Sequence, residues 1–322
     1  MPEIDLQLLE TRIADALLKA QVTDCRQILS LSDCFFLKLG NICLNDLEKI
    51  RTLASESIQQ SELITVNSSL SKSEKWERLT TGCPKLDMVL QGGIPKRGIT
   101  ELTAESGSGK TQFGLQLTIT VQLPKTEGGF NGGAVYICTE EKFPSTRLHQ
   151  LFETFPLVAK RKGKTVDLGK NILIQHISDV DGLKNCIEIT LPRVIKAQKD
   201  EGKKAIRLVV IDSITAVFRG EYGQSGDIKT RAQHIRSIGY NLHKLSQKHD
   251  VAILCINQVN STMNNRLVPA LGLAWSNLVT TRLQITRVPP NRYFRVIFAP
   301  DLPTTNVCPY SITKSGVTGK HV

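Results

Sequence analysis

The sequence predicts an α/β protein built on a mainly parallel sheet, with a small all-α region ahead of it. Three observations predict this. A Gly-rich loop stands between a short apolar strand and a helix within residues 98–122. Further apolar runs ending in a carboxylate or an amide recur downstream, separated by helical stretches, which is the order of a sheet with crossover helices. Residues 1–56 carry helical periodicity alone.

In chain order, Leu8, Leu9, Ile13, Leu17 and Leu18 mark one apolar stripe. Thr23 and Ser32 are placed to cap two short helices, and Asn45 a fourth that begins near Leu44. Residues 57–75 are rich in Ser and read as a linker. Within it, Leu63-Ile64-Thr65-Val66 is either a stray surface strand or an extended segment that docks on another subunit's sheet edge. The expected division is therefore a helical domain at 1–56, a linker with an interaction segment at 57–75, and the α/β core at 76–322. A short helix at 86–90 opens the core and ends at Gly92-Gly93.

The loop Ala104-Glu105-Ser106-Gly107-Ser108-Gly109-Lys110-Thr111 has the residue types of a phosphate-binding loop. Small residues let backbone N–H groups turn toward phosphate oxygens, and the following helix adds its positive dipole end. Lys110 is placed to reach the β and γ phosphates, and Thr111 to set its hydroxyl on Mg²⁺. The motif wants glycine where this chain has Ala104, so phosphate binding requires a negative φ at that position.

A strand at 134–139 leads into Glu140-Glu141. In a parallel sheet the C-terminal strand ends face the ligand crevice. Glu140, nearer the strand end than Glu141, is the favoured carboxylate for orienting a water. A helix follows at 145–155, then a strand at 171–176 and a helix at 180–197. The apolar strand at 205–213 ends in Asp212, placed to hold Mg²⁺ through water. Residues 218–229 read as a loop, with Arg219 and Tyr222, able to close on a strand of nucleic acid. The helix at 228–247 carries Arg231 and Arg236 outward. The strand at 251–258 ends in Gln258, placed to sense a γ phosphate. The loop 259–268, with Arg266, reads equally as a nucleic-acid contact or as plain surface. Strands at 278–286, 292–298 and 308–313 close the core, and the tail 319–322 reads as disordered.

The net charge of the 322 residues is +11, unevenly spread: about −3 in the first 60 residues and +14 after them. A basic core with a phosphate site points to a polyanionic partner. Eight cysteines occur with no C-x-x-C pair, which argues against zinc and fits a reducing compartment, cytosol or nucleus. No 18-residue apolar run is present, so no membrane span or membrane partner is expected.

In combination, residues 79–87, 107–112, 136–140, 209–213 and 257–259 resemble the RecA-like recombinase family, in its eukaryotic branch of strand-exchange proteins and their paralogues. The resemblance is clearest over 76–319. It implies a RecA-like P-loop ATPase core with ATP and Mg²⁺ as cofactors. It implies Glu140 as the water-activating residue, with Lys110 and Gln258 beside it in catalysis. Nucleotide contacts are implied for Ser106, Gly107, Ser108, Gly109, Lys110, Thr111 and Gln112, and for Arg147, stacked on adenine. Mg²⁺ is implied at Thr111 and Asp212. Arg219, Tyr222 and Arg231 would serve a first DNA loop and Arg266 a second, with residues 300–303 capping a neighbour's nucleotide. The implied work is homologous recombination repair of double-strand breaks and crosslinks, on single-stranded or branched DNA. The implied place is the nucleus, with some protein in the cytoplasm, and the implied turnover is a weak DNA-dependent ATPase. Filament-forming members carry a Phe-x-x-Ala segment in the linker, and here Leu63 and Val66 stand at those positions. The shorter anchor and the larger second residue favour pairing with a different paralogue over self-polymerisation; the resemblance implies that this partner is the recombinase paralogue of subtype C, in a heterodimer, with contact to the main recombinase filament. Two other readings stand beside this mediator: an active strand-exchange recombinase forming homo-filaments, and an assembly protein with a structural nucleotide.

Overall fold

The computed structural model describes residues 3–58, 77–159, 168–221, 228–261 and 267–320. Leu63, Val66, Tyr222, Arg266 and the basic run 160–164 lie outside the described residues. The chain forms two compact units, Met1–Ser73 and Glu74–Val322.

The first unit holds helices at Thr11–Lys19, Cys25–Ser30, Asp33–Leu37 and Leu44–Ile58. Ile13, Leu17, Cys25, Ile28, Phe36 and Ile50 form its core. Three local expectations change. Leu8 lies ahead of the first helix and is exposed, and Leu18 is exposed because successive helical residues turn by about 100° and the inward face is Ile13, Ala16 and Leu17. The second helix is capped by Asp24, whose carboxylate accepts from Arg26 N at 2.8 Å, while the Thr23 carbonyl accepts from Ile4 N. Asn45 lies inside the fourth helix, and Asp46 closes its first turn by accepting from Cys43 N at 2.8 Å. Asp46 also takes a two-point bond from Arg12, at 2.9 and 2.8 Å, which holds its carboxyl well below the usual carboxylate range.

The second unit is built on one sheet. Its strands are β3 (Ile99–Ala104), β4 (Gly133–Cys138), β5 (Ile172–His176), β6 (Ile206–Asp212), β7 (Ala252–Ser261), β8 (Leu267–Pro269), β9 (Thr281–Val288), β10 (Asn291–Phe298), β11 (Val307–Thr313) and β12 (Gly316–Gly319). A separate two-stranded ribbon pairs β1 (Arg78–Leu79) with β2 (Ile94–Pro95). The sheet order is β12-β11-β10-β9-β3-β7-β6-β4-β5, with β8 added antiparallel to β7. From β9 to β5 neighbours run parallel; from β9 to β12 they form an antiparallel meander. Every residue of β3 and β4 is buried, because helices cover both faces, and this is why β4 reads as an unbroken apolar run rather than as alternation, while β3 buries Thr100, Glu101 and Thr103 as well. The helix Lys110–Thr120 is buried from Phe113 onward and packs in one core layer with Phe294, whose ring stacks on Phe113 at 5.7 Å. The helix Ile228–His249 supplies Ile235, Ile238 and Leu242 to the other layer.

The structure departs from sequence expectation in four places. The expected helix at 180–197 runs to Asp200 but is interrupted by a π turn at Cys186–Thr190, just before Pro192, which has no N–H to continue the regular ladder. The start of the expected loop 218–229 is a helix, Ala216–Glu221. The expected loop 259–268 begins and ends as a hairpin stem, since β7 continues to Ser261 and pairs with β8. The tail gains β12, which pairs with β11.

Glu77, just ahead of β1, accepts hydrogen bonds from Lys125 and Lys96, and these hold its carboxyl at about 2. A carboxylate held below its unfolded value of 4.5 gives stability that is complete above 4.5 and is lost as pH falls toward 2. The acid-induced fall in melting temperature between those values should therefore be smaller for Glu77→Gln than for the wild type. Equal falls in the two proteins would remove Glu77 from the acid response.

Candidate nucleotide site

β3 delivers the chain into the loop 105–109, and the helix Lys110–Thr120 leaves it. The left-handed backbone that glycine allows falls at Gly107 (φ 71°) and Gly109 (φ 107°). A Cβ on Gly109 would stand 2.5 Å from Ile312 Cδ1. Ala104 is the last residue of β3, buried and in register with Gln258 on one side and Ile285 on the other. It is absent from the positive-φ positions, so alanine meets no conformational penalty there.

Lys110 Nζ donates to the carbonyls of Ala104 at 2.9 Å and Glu105 at 2.8 Å, curled over its own loop. Burial pushes its ammonium group downward in pKa, against the pull of Asp212 and Glu105. The Thr111 hydroxyl donates to Asp212 Oδ2 at 2.7 Å, and the Tyr136 hydroxyl donates to the same oxygen at 2.7 Å. Burial, and then the charge of Asp212, raises the Tyr136 phenol well above its ordinary value, so it stays a neutral donor. The ends of β4 and β6 are laced together by Thr139, whose hydroxyl donates to Ser213 O at 2.7 Å and accepts from Ser213 N at 2.8 Å.

Glu140 follows directly. Gln258 Nε2 donates to its Oε1 at 3.1 Å and its Oε2 at 2.9 Å, Ser213 Oγ lies 3.5 Å from Oε2, and Arg219 is ion-paired to Oε1. Arg147 donates from Nε to Gln112 Oε1 at 2.7 Å and from Nη2 to Thr313 O at 2.7 Å, tying the helix start to the β11–β12 turn. Burial lowers the pKa of its guanidinium group.

These side chains line one cleft of about 1080 Å³. Among the described residues expected from sequence, only Ser108 and Arg231 do not line it. Ser108 is buried, and its carbonyl accepts from Tyr310 OH at 2.6 Å. Arg231 sits half-buried on the helix Ile228–His249. Sequence reasoning missed Tyr136, whose only signal was a hydroxyl inside an apolar strand. It also assigned Arg219 to nucleic acid, whereas here it pairs with Glu140.

A buried network stands behind the cleft. Glu101, fully buried in β3, accepts from Asn257 Nδ2 at 2.6 Å, from Trp275 Nε1 at 2.8 Å and from Arg282. Asn257 also donates to Ala270 O at 3.0 Å and accepts from Thr215. Thr215 Oγ1 lies 3.4 Å from Gln258 N. One carboxylate thus ties β3 to the foot of the helix Ala216–Glu221 and to both stems of the β7–β8 hairpin.

The donor set suits a small hard cation. A hydroxyl and a carboxylate in contact are oxygen ligands of the kind Mg²⁺ takes, with phosphate and water filling the remaining positions. Among the described residues no group of three or more His, Cys, Asp or Glu gathers as a closed metal site would need. Of the two loop glycines, Gly109 has no room for a side chain, whereas a Cβ on Gly107 would meet only Arg287 Nη1 at 3.7 Å.

The family model described as Rad51 matches residues 72–320. The chain is 35% identical to the DNA repair protein XRCC3 of Bos taurus, with 98% of each chain covered. It is 33% identical to the DNA repair protein XRCC3 of Mus musculus, again with 98% of each covered. It is 32% identical to the DNA repair and recombination protein RadA of Metallosphaera sedula, over 75% of this chain and 72% of that one.

Proposed function

The chain belongs to the Rad51 family, and from that premise we propose that it is an ATP-binding recombinase paralogue acting in DNA repair and recombination, as a mediator rather than as the polymerising recombinase. The observation that carries the nucleotide part is the meeting of Lys110, Thr111, Asp212, Glu140 and Gln258 in one cleft at the ends of four neighbouring strands.

The roles follow from the contacts. Backbone N–H groups of the loop 106–109 would donate to the phosphate oxygens of a bound nucleotide, and Lys110, which here donates to two carbonyls, would hold the β and γ phosphates. Thr111 and Asp212 would hold Mg²⁺, which neutralises charge on those phosphates when bound. Tyr136 fixes the Asp212 carboxylate through its shared oxygen. Glu140 takes a proton from the attacking water, and Gln258, bonded to both its oxygens, passes the state of the site into the β7–β8 hairpin. Arg147 holds the base end of the cleft.

The net charge of +14 beyond residue 60 supplies the attraction to a DNA backbone, single-stranded or branched. The likeness to XRCC3 along the whole chain supports a heterodimer with a subtype C recombinase paralogue, joined through the segment around Leu63 and Val66. DNA repair as its work makes the nucleus its place. Among the described residues no helix is long and apolar enough to cross a membrane.

Titration calorimetry with ATP, with and without Mg²⁺, tests the site. The wild type should bind ATP more tightly with Mg²⁺, and Asp212→Asn should keep the Mg²⁺-free affinity while losing roughly tenfold or more of the gain, as expected when a charged oxygen ligand becomes neutral. An equal Mg²⁺ gain in both proteins would remove Asp212 from the metal site.

A further inference from the structure

Glu140 is the carboxylate placed to accept a proton from water, yet its oxygens already face three donors. Oε1 faces Arg219 and Gln258 Nε2, and Oε2 faces the same Gln258 Nε2 and, at 3.5 Å, Ser213 Oγ. Of these donors only Arg219 is a cation, and a carboxylate paired with a cation is a weaker proton acceptor than a free one.

The donors differ in how readily they leave. Ser213 is buried and its backbone is laced to Thr139. Gln258 is fixed through β7, beside the buried Asn257. Arg219 is different: its side chain is 55% exposed and it rides on the short helix Ala216–Glu221 at the cleft mouth. A guanidinium pairs as well with a phosphate as with a carboxylate, since its fork of N–H groups matches both.

We propose that Arg219 is a positioning residue that holds Glu140 in an ion pair and is drawn off it by a phosphate oxyanion, which frees Oε1 for the attacking water. The phosphate comes either from the γ position of the nucleotide or from a nucleic-acid backbone at the cleft mouth. In both cases one ion pair is exchanged for another: Arg219 pairs with the incoming phosphate, and Glu140 is left as an unpaired anion, a stronger proton acceptor than when paired. The inference rests on the nucleotide-site reading above.

The test uses the full chain as wild type, Arg219→Ala and Arg219→Lys. Affinities for ATP and ADP are measured by calorimetry with and without an oligo-dT strand, and ATP turnover is followed in the same samples. If the γ phosphate draws Arg219, Arg219→Ala loses roughly tenfold or more of the preference for ATP over ADP, without DNA, as expected for one charge-assisted bond. If the DNA backbone draws it, Arg219→Ala keeps that preference and loses the effect of oligo-dT on ATP affinity. Its DNA-free turnover then rises to the DNA-bound level of the wild type. In either case Arg219→Lys restores part of the lost response, which a merely structural role would not predict. An Arg219→Ala protein with an unchanged ATP-to-ADP preference and an unchanged oligo-dT effect overturns the proposal. So does one whose turnover falls equally with and without DNA. A wild type that binds no ATP would instead sink the nucleotide-site reading itself, so the two failures are told apart.

Discussion

Lys110→Ala lowers ATP affinity roughly a hundredfold, the upper end of what one charge-assisted hydrogen-bonding group to phosphate contributes, and does so without loosening the fold. The second half of that expectation comes from the ammonium group's surroundings. Among the described residues its acceptors are two carbonyls of its own loop, and burial lowers its pKa below the ordinary value of 10.5. For a base, a folded-state pKa below the unfolded one means that holding the proton costs stability. That cost is complete below the folded pKa and is relieved as pH rises past 10.5. At neutral pH the alanine variant therefore melts at the wild-type temperature or above it when no nucleotide is present. Calorimetry and thermal melts on the same samples read both halves. Unchanged ATP affinity would sink the assignment of the loop. A strong drop in melting temperature would mean that Lys110 serves the fold instead.

Glu101→Ala is the largest stability loss expected in the core. Three donors converge on this buried carboxylate, and one of them, Arg282, carries a charge. Removing one partner of a buried pair costs about 3–5 kcal/mol, because the other charge is left without compensation. In a unit of this size that is a fall of roughly 10 °C in melting temperature. Arg282 keeps only its bond to Ser276 Oγ, at 2.7 Å, and its place 5.0 Å over the Phe298 ring. Glu101→Leu combined with Arg282→Leu should recover most of the loss, since replacing both charges by apolar groups leaves neither stranded. Thermal melts of the two single variants and the double variant close the cycle. Additive losses would mean that the two residues do not act as a pair. A second consequence follows from Asn257, which in Glu101→Ala loses one of its two acceptors and keeps only Ala270 O, while sitting one residue before Gln258. The effect of DNA on ATP binding should weaken in that variant even at temperatures where it is fully folded.

Much of the cleft was legible because its parts are local. The loop 105–109 announces itself by small residues between an apolar strand and a helix. Asp212 stands out as a charge at the end of an apolar run, and Glu140 and Gln258 likewise follow apolar runs. In a parallel sheet such ends share one edge, so their meeting could be anticipated without coordinates. Ala104 looked like a defect in the motif only because the spacing does not reveal which positions need a left-handed backbone. Those positions are Gly107 and Gly109.

Other features were not local, and the sequence did not show them. Arg219 read as a nucleic-acid residue because it lies among glycines, and nothing in the spacing told that the helix Ala216–Glu221 turns it onto Glu140, 79 positions earlier in the chain. Residues 259–268 read as a loop because they are polar. Yet Val259, Asn260 and Ser261 pair with Pro269, Val268 and Leu267, and backbone hydrogen bonds hold that hairpin whatever the side chains.

The sequence by itself determined the phosphate loop, the buried parallel strands, the acidic and amide residues that end them, and the family to which they belong. Hydrophobic runs, glycines and strand-end charges act over a few residues, where order along the chain and neighbourhood in space coincide. Only the tertiary structure decided that Tyr136 shares an oxygen of Asp212 with Thr111, that Arg219 completes the shell of Glu140, and that Glu101 joins β3 to the hairpin stems. Those partners are brought together by the strand order β9-β3-β7-β6-β4, and hydrogen bonds across a sheet are set by which strands lie side by side, not by how many residues separate them.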